Sequence, residues 1–379
     1  MTALRFLGLI LFLASNLYLL VALFMLWRFH LRTLSPTETP GVTLMLPCYG
    51  TPPRFAECLR TLCGQDYPGE LQVVFGLHSP DDAARPVIEA LMESMPDLDA
   101  TLVIDGRRVG THPKNCNLAN MMASVRHDLL VLADSDILAA PDLLRTLVAT
   151  LERPAVGAST CLYKAAGEGN FASRLGAAYI NDWFIPSGLV DLAVHGLGTA
   201  YGVAIAIWRP LLDEIGGFEA MASVSSSDFA LGDEVRRRGL TIGLAPTVVS
   251  TIVAEPDLAT LHRHEMRWMR AIRSTRPLDH ALWISSSALV PLALLAFAWP
   301  LTVALSGLGF YLAVRALIHV LVRQRFGIPG SEFGLLIPRE IANFLLWTGS
   351  FFTRRVRWGD QVIRAENGNG RANGKVKRL

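Results

Sequence analysis

The segment 129–141, LLVLADSDILAAP, places two aspartates, Asp134 and Asp136, directly after an apolar run. An apolar strand of a parallel sheet that ends in two carboxylates is suited to hold a divalent cation beside a phosphate, because hard cations such as Mg²⁺ bind carboxylate and phosphate oxygens together. This arrangement indicates chemistry on a nucleotide sugar. A surface turn that caps the helix beginning near Pro141 is the alternative interpretation.

Three further acidic residues stand where a sheet edge or a helix start would present them. Asp81 and Asp82 follow the apolar segment LQVVFGL and belong to the same predicted edge as Asp134, where a carboxylate could accept hydrogen bonds from uracil or ribose. Asp228 follows three serines and opens a predicted helix. There it could take the proton of an attacking hydroxyl, a contribution of about 10²- to 10⁴-fold. For all three residues, N-capping of the following helix is the alternative.

Residues 257–280 form a predicted basic helix with a lipid-facing or phosphate-facing surface. In this helix Arg267 could grip a diphosphate through its guanidinium, and the indole of Trp268 could stack on a sugar or a lipid. His264 and Glu265 begin a zinc-type HExxH pattern, but Trp268 occupies the position of the second histidine. The zinc-protease interpretation is therefore excluded.

The elements that must position these residues follow a regular pattern. Between about 40 and 150, four short apolar strands alternate with amphipathic helices, and from 155 to 255 strands and helices are mixed. This predicts an α/β fold with a doubly wound, mixed sheet, whose ligands bind at the carboxyl ends of the strands. We expect the segment 40–256 to be the domain that carries the site.

Membrane segments are predicted on both sides of that domain. The mean hydropathy of +0.35 is high for a wholly soluble protein, and residues 6–27 are apolar and uncharged over a length that spans a bilayer. Basic residues after this helix place the following domain in the cytoplasm. Arg339 and Glu340 are costly at mid-bilayer, which favours an interfacial or re-entrant helix for their segment. The predicted parts are an anchor at 1–32, a transmembrane hairpin at 281–322, the interfacial or re-entrant helix at 333–353, and a basic cytosolic tail at 354–379 that meets anionic lipid rather than nucleic acid.

Four motifs in series resemble those of a known group of enzymes. Asp82, the DSD at 134–136, Asp228 within SDF, and HEMRW at 264–268 resemble the D, DxD, D, (Q/R)xxRW series of processive-type family 2 and ceramide glucosyltransferase-like glycosyltransferases. The segment RVGTHPKNCNLAN is similar to one that lines the nucleotide-sugar site. Within the group, the segments YINDWFIPS, VAEPDLATL and RHEMRWMRAIR are similar to those of hopanoid-associated glycosyltransferases.

The resemblance implies a GT-A-like fold and a multi-pass enzyme of the bacterial inner membrane with a cytosolic catalytic domain. It implies inverting transfer of N-acetylglucosamine from UDP-N-acetylglucosamine to a bacteriohopanepolyol, with Mg²⁺ or Mn²⁺ as cofactor. It assigns Asp228 as catalytic base, Asp134 and Asp136 as metal ligands, Asp81, Asp82, Lys114, Asn117, Asp134 and Arg267 as donor-binding residues, and Tyr179, Asp182, Trp183, His264 and Trp268 as acceptor-binding residues.

Three alternatives remain from the sequence. A ceramide glucosyltransferase that uses UDP-glucose shares the motifs and differs in acceptor and sugar. A processive polysaccharide synthase is disfavoured because the chain has few membrane helices and no room for a polymer channel. Leu46 and Ser79 replace residues usual in the family, and this departure motivates the third alternative, a noncatalytic lipid-binding scaffold on the same fold.

Overall fold

The structure is a computed structural model that describes residues 2–224, 226–287, 289–352, 355–358 and 361–364. Its α-helices are α1 (Thr2–Arg28), α2 (Phe55–Cys63), α3 (Ala84–Ser94), α4 (Pro113–Met121), α5 (Leu143–Leu151), α6 (Phe171–Tyr179), α7 (Ile185–His195), α8 (Arg209–Ile215), α9 (Gly217–Ala220), α10 (Ser227–Arg237), α11 (Leu258–Thr275), α12 (Pro277–Leu282), α13 (Leu289–Ala298), α14 (Leu301–Phe326) and α15 (Leu336–Ser350). Its strands are β1 (Val42–Pro47), β2 (Leu71–Leu77), β3 (Asp99–Ile104), β4 (Leu129–Ala133), β5 (Ile137–Leu138), β6 (Val156–Gly167), β7 (Ala204–Trp208), β8 (Thr241–Val253), β9 (Arg355–Trp358) and β10 (Gln361–Arg364).

Eight of these strands form one mixed sheet in the order β3-β2-β1-β4-β7-β6-β8-β5. The four strands β3, β2, β1 and β4 run parallel, whereas β7 is antiparallel to both β4 and β6. β4 is a continuous apolar run because helices cover both faces of the sheet, and every residue of β4 is buried. β1 is apolar except for Thr43, whose buried hydroxyl donates to Oε1 of Gln72 at 2.8 Å. The predicted doubly wound, mixed sheet is confirmed.

The carboxyl ends of β1, β2 and β4 lie at one edge of the sheet, because the three strands are parallel and adjacent. Chain order reverses between β1 and β4, and such a reversal point is where open α/β sheets bind ligands. The DSD segment leaves β4 at this edge. It then enters β5, which pairs with β8 at the far side of the sheet through Ile137 and Thr251. Residues 134–136 therefore connect β4, in the middle of the sheet, to β5, which pairs near the carboxyl end of β8.

Among the residues that the structure describes, two helices are long and apolar enough to cross a membrane, Ala3–Arg28 and Leu301–Phe326. The other predicted hairpin arm, 282–299, contains the 3₁₀ turn Trp283–Ser286 and the ten-residue helix α13, because consecutive serines interrupt its apolar pattern. α15 has 15 residues, a length of about 22 Å against a hydrocarbon core of about 30 Å. The interfacial position of α15 stays a prediction.

The basic tail 354–379 lies largely outside the described residues. Within it, the structure describes the backbone of β9 and β10, which pair antiparallel.

Candidate functional site

The centre of the site is a contact between α4, the DSD segment and Gly202, which lies two residues before β7. Lys114, in the first turn of α4, donates from Nζ to Oδ1 of Asp134 and to the carbonyl of Gly202, the latter at 3.1 Å. Asp134 is held by its own backbone, whose N–H donates to the carbonyl of Val203 at 3.0 Å. Ser135 donates from its hydroxyl to the carbonyl of Pro47 at the end of β1, at 3.3 Å. The acid segment and the lysine are therefore fixed to the sheet edge.

Asp228, at the start of α10, lies against the same glycine. A β-carbon built on Gly202 would lie 3.2 Å from Oδ2 of Asp228. Oδ1 accepts from the backbone N–H of Phe229 at 2.9 Å, so the carboxylate also helps to cap its helix. Burial raises the pKa of Asp228, the cation of Lys114 acts in the opposite direction, and Asp134 adds to the rise. The fold therefore brings together Asp228, Lys114 and Asp134.

Asp136 presents an exposed carboxylate two residues after Asp134. Partial desolvation by the cleft and repulsion from Asp134 raise the pKa of Asp136 to about 6, while Lys114 opposes the rise. In the part of the chain that the structure describes, no three His, Cys, Asp or Glu side chains cluster as a metal site. Two neighbouring carboxylates fit a Mg²⁺ or Mn²⁺ ion that takes its remaining ligands from phosphate and water, because Mg²⁺ commonly binds proteins through one or two carboxylates.

Asp82 lies at the same edge, after β2. Its Oδ1 accepts from the backbone N–H of Gly50 at 2.8 Å and of Ala84 at 2.9 Å, which joins the loop after β1 to the start of α3. Asp82 therefore accepts a hydrogen bond at the start of α3 and also lies at the sheet edge, so the two interpretations of this residue are compatible. Asp81 is exposed beside it, and its backbone N–H donates to the hydroxyl of Ser79 at 3.2 Å.

Asn117 has a different environment from the other predicted donor-binding residues. Its side chain is buried between α4 and β2, and Nδ2 donates to the carbonyl of Gly76 at 2.8 Å. A β-carbon on Gly76 would lie 2.3 Å from Oδ1 of Asn117, so the strand needs glycine at this contact. The structure therefore shows Asn117 as a residue that packs α4 on the sheet, and a donor contact by its side chain stays a prediction.

Arg267 of α11 lies within electrostatic range of the start of α4. His112, just before α4, is buried, and burial together with the cations of Lys114 and Arg267 lowers its pKa to about 4. Both cations therefore act on one neutral imidazole at the start of α4. Burial also lowers the pKa of Arg267. The cleft thus contains two cations within electrostatic range of the same histidine, an arrangement suited to a diphosphate.

The predicted acceptor residues His264, Trp268 and Tyr179 form one aromatic contact. The His264 and Trp268 rings lie 4.6 Å apart between centroids, and Trp268 stacks on Tyr179 at 6.1 Å. His264 also pairs with Glu255 through Nδ1 at 2.8 Å. These three side chains connect α11 to the end of α6.

Asp182 and Trp183 lie instead in the π-helix Ile180–Phe184 and face α14. Asp182 is buried and bonds to His319 and Arg323, each at 3.1 Å, because a buried carboxylate needs charged or hydrogen-bonding partners. The guanidinium of Arg315 lies 4.6 Å above the ring of Trp183. The carboxylate of Asp182 therefore joins the π-helix to α14, and its role in acceptor binding stays a prediction.

Sequence reasoning missed three residues near the site. Gly202, two residues before β7, carries both the lysine contact and the approach of Asp228, and glycine is the default residue where another group approaches the backbone closely. Tyr163 is partly buried within electrostatic range of Asp228, and burial raises its pKa well above 10. His112 had no distinguishing signal, because its proximity to Arg267 joins two positions that are far apart in the chain.

The profile of Glycosyl transferase family 21 matches residues 7–370, nearly the whole chain. This chain belongs to glycosyl transferase family 21. The predicted relation to ceramide glucosyltransferase-like enzymes is thereby confirmed at the level of the family.

Relatives of this family 21 chain include Ceramide glucosyltransferase 1 of Caenorhabditis elegans, 23% identical over 268 residues, which are 68% of this chain and 55% of that protein. An N-acetylglucosaminyltransferase of Mesorhizobium japonicum is 32% identical over 124 residues, 32% of this chain and 28% of that protein. The family 21 chain spans about half the length of the curated ceramide glucosyltransferase that it matches over most of its own length.

A solved structure shares the fold of this family 21 chain. The mannosyltransferase PcManGT from Pyrobaculum calidifontis, in complex with GDP-Man and Mn²⁺, superposes with a TM-score of 0.55 at 22% identity, over 90% of this chain and 99% of that one. The predicted GT-A-like fold is confirmed by this similarity.

Proposed function

We propose that this family 21 chain is an inverting glycosyltransferase that moves a sugar from a UDP-sugar to a hydroxyl of a membrane lipid. The observation that supports it most is the meeting of Asp228, Lys114 and Asp134 around the backbone of Gly202, at the edge where such sheets bind ligands. This transfer uses a base, a cation for the diphosphate and a pair of carboxylates for a metal ion. Asp228, Lys114 and the pair Asp134 and Asp136 would supply these groups.

In the proposed reaction, Asp228 takes the proton of the acceptor hydroxyl. The oxygen forms a bond to the anomeric carbon while the bond from that carbon to the diphosphate breaks, and the UDP leaves with the electron pair. Lys114 and Arg267 bind diphosphate oxygens, and Asp82 contacts the nucleoside. One carboxylate as base, without a second as nucleophile, produces inversion at the anomeric carbon.

Asp134 and Asp136 would hold Mg²⁺ or Mn²⁺ together with oxygens of the diphosphate. The cation would neutralise negative charge on the departing diphosphate. Lys114 offsets the charge of Asp134 and keeps the acid segment in place before the donor arrives.

For the lipid we propose a bacteriohopanepolyol, and for the donor UDP-N-acetylglucosamine, at the cytosolic face of the bacterial inner membrane. Support comes from the resemblance of residues 179–187 to hopanoid-associated enzymes and from the similarity to an N-acetylglucosaminyltransferase. Two helices of membrane-spanning length would bring the site to its acceptor. Ceramide glucosylation is the second candidate, supported by the similarity to the Caenorhabditis elegans protein.

The test is transfer by the purified full-length protein in lipid nanodiscs with Mn²⁺. UDP-N-acetylglucosamine and UDP-glucose are each paired with bacteriohopanetetrol and with ceramide, and released UDP and the lipid product are measured. Asp228→Asn is expected to lower kcat by at least ~100-fold, the lower range of general-base catalysis. Asp233→Asn on the same helix, where the carboxylate pairs with Arg236 and Arg237, is the control and should retain activity. If none of the four donor–acceptor pairings releases UDP, the proposal is rejected in favour of the noncatalytic lipid-binding scaffold.

A further inference from the structure

Arg339 of α15 is a fully buried cation that faces α11. Its side chain is 0% exposed, and its guanidinium donates to both carboxylate oxygens of Glu265, from Nη1 to Oε1 at 2.7 Å and from Nη2 to Oε2 at 3.0 Å. Glu265 is itself only 4% exposed. Two parallel hydrogen bonds between a planar guanidinium and a carboxylate fix the direction of approach as well as the distance. The pair therefore helps to set the orientation of α11 against α15.

The same guanidinium also contacts the end of α6. Nη1 donates to the carbonyl of Leu175 at 3.3 Å, and the guanidinium carbon lies 5.0 Å from the centre of the Tyr179 ring. A cation over an aromatic face is attracted by the ring, most strongly where water is excluded. Nε of Arg339 donates to Oδ1 of Asn343 at 2.8 Å, which holds the arginine on its own helix. One side chain of α15 thus joins α11 to the end of α6.

The two helices that Arg339 joins carry the predicted acceptor residues. The ring of Tyr179 stacks on Trp268, which follows Glu265 by three positions and so lies on the same side of α11. His264 contacts the same indole. Arg267 follows Glu265 by two positions and lies on the opposite side of the helix, within electrostatic range of the start of α4. The contacts of Arg339 are therefore on the aromatic side of α11 and not on its diphosphate side.

The ion pair is not needed to hold α11 on α15. Met266 and Met269 of α11 form a buried apolar cluster with Leu346 of α15. A buried ion pair contributes little net stability, because removing both charges from water offsets their attraction, and apolar side chains of similar volume often replace such a pair without loss. The main effect of the pair is therefore on geometry.

We propose that Arg339 is a positioning residue for the lipid acceptor. Through Glu265 and Tyr179 it holds the aromatic contact between α6 and α11 in the arrangement that binds the acceptor, and it contacts neither substrate itself. This role rests on the proposed function and adds to it a residue of the segment 333–353, to which the transfer reaction assigns nothing.

The double variant Arg339→Met, Glu265→Leu separates positioning from stability. Its free energy of unfolding should be close to the wild-type value, because both charges are replaced together. We nevertheless expect kcat/KM for the lipid acceptor to fall about 10-fold, near the upper end of the effect of losing one aromatic contact. The Kd for UDP with Mn²⁺, measured by calorimetry, should change by less than about twofold. A folded double variant that keeps the wild-type kcat/KM for the acceptor, or that loses UDP binding by the same factor, overturns the inference.

Arg339→Lys is the second variant and keeps a cation for Glu265, so it should fold even if the double variant does not. Lysine cannot form the two parallel hydrogen bonds, and we expect a loss of about 3-fold in kcat/KM for the acceptor. In a Tyr179→Leu background, Arg339→Lys should cause no further loss, because the ring through which it acts is absent. The same additional loss in that background overturns the inference. Leu345→Ala, at a residue 59% exposed on the same helix, is the control and should leave all values unchanged.

Failure of the positioning role and failure of the proposed function are distinguishable. A wild-type protein that transfers sugar, with unchanged acceptor kinetics in the folded variants, overturns the role of Arg339 and leaves the proposed function intact. A wild-type protein that releases no UDP with any lipid overturns the proposed function. Binding of bacteriohopanetetrol and of ceramide in detergent, measured by tryptophan fluorescence, then decides on Arg339. A weaker Kd in the folded variants supports the role, whereas an unchanged Kd, or no binding by the wild type, overturns it.

Discussion

Substitution of Gly202 by alanine tests whether the approach of Asp228 to this glycine matters for transfer. A β-carbon at this position would lie 3.2 Å from Oδ2 of Asp228, 3.5 Å from its Cβ and 3.6 Å from its Cγ. All three nearest atoms belong to the same aspartate. The added methyl group would therefore act on the position of one carboxylate and on little else.

The expected effect follows from this distance. Contacts of a β-carbon at 3.0–3.4 Å require the neighbour to move by a few tenths of an ångström. A misplacement of 1 Å at a reacting group can cost about 100-fold in rate, so a shift of about 0.3 Å corresponds to a loss of roughly 4-fold. We therefore expect Gly202→Ala to lower kcat by about 3- to 10-fold, with the KM for the UDP-sugar nearly unchanged.

The assay is steady-state UDP release in nanodiscs, combined with thermal unfolding. Gly309→Ala, at a glycine of α14 whose added β-carbon would meet nothing within 4 Å, is the matched control and should leave kcat unchanged. In an Asp228→Asn background, Gly202→Ala should cause no further loss, because the group on which it acts is already disabled. The reasoning is refuted if the same loss appears in that background, or if Gly202→Ala alone has full activity.

Three further results are expected. EDTA should abolish transfer and Mn²⁺ restore it, and Asp136→Asn should raise the Mn²⁺ concentration needed for half-maximal activity, measured by titration. Asp228 accepts a proton only when it is ionised, and burial raises its pKa, so kcat should fall as the pH drops through that raised pKa. The cation of Lys114 lowers the pKa of Asp228, so Lys114→Met should raise this pKa further and move the acidic side of the pH–rate profile to higher pH. Arg339→Met leaves Glu265 buried and unpaired, which should cost ~3–5 kcal/mol in thermal or denaturant unfolding, and adding Glu265→Leu should recover most of it.

The fold was predictable because its central strands have a strong local signal. β4 is buried on both faces and is an uninterrupted apolar run, and β1 departs from this only at Thr43, so both strands stand out between amphipathic helices. The interrupted hairpin arm at 282–299 was not predictable from hydropathy. The serines there interrupt the helical pattern without making the segment polar enough to be recognised.

The site was predictable as a set of acidic residues and less so as an arrangement. Asp134 and Asp228 are both recognisable at the ends of elements, but their meeting at Gly202 depends on how β7 enters the sheet beside β4. Asp182 is the clearest example of a contact that the sequence could not predict. Its partners His319 and Arg323 lie 137 and 141 positions later in the chain, so no local pattern could reveal that its carboxylate is occupied.

The three-residue DSD connection is held at both ends by the sheet, since β4 pairs in its centre and β5 pairs with β8 at its far side. Surface loops ordinarily tolerate insertions and deletions. Here one extra residue would shift β5 by one position, reverse which faces Ile137 and Leu138 present, and separate the two carboxylates. This connection can therefore accept a change of side chain more readily than a change of length.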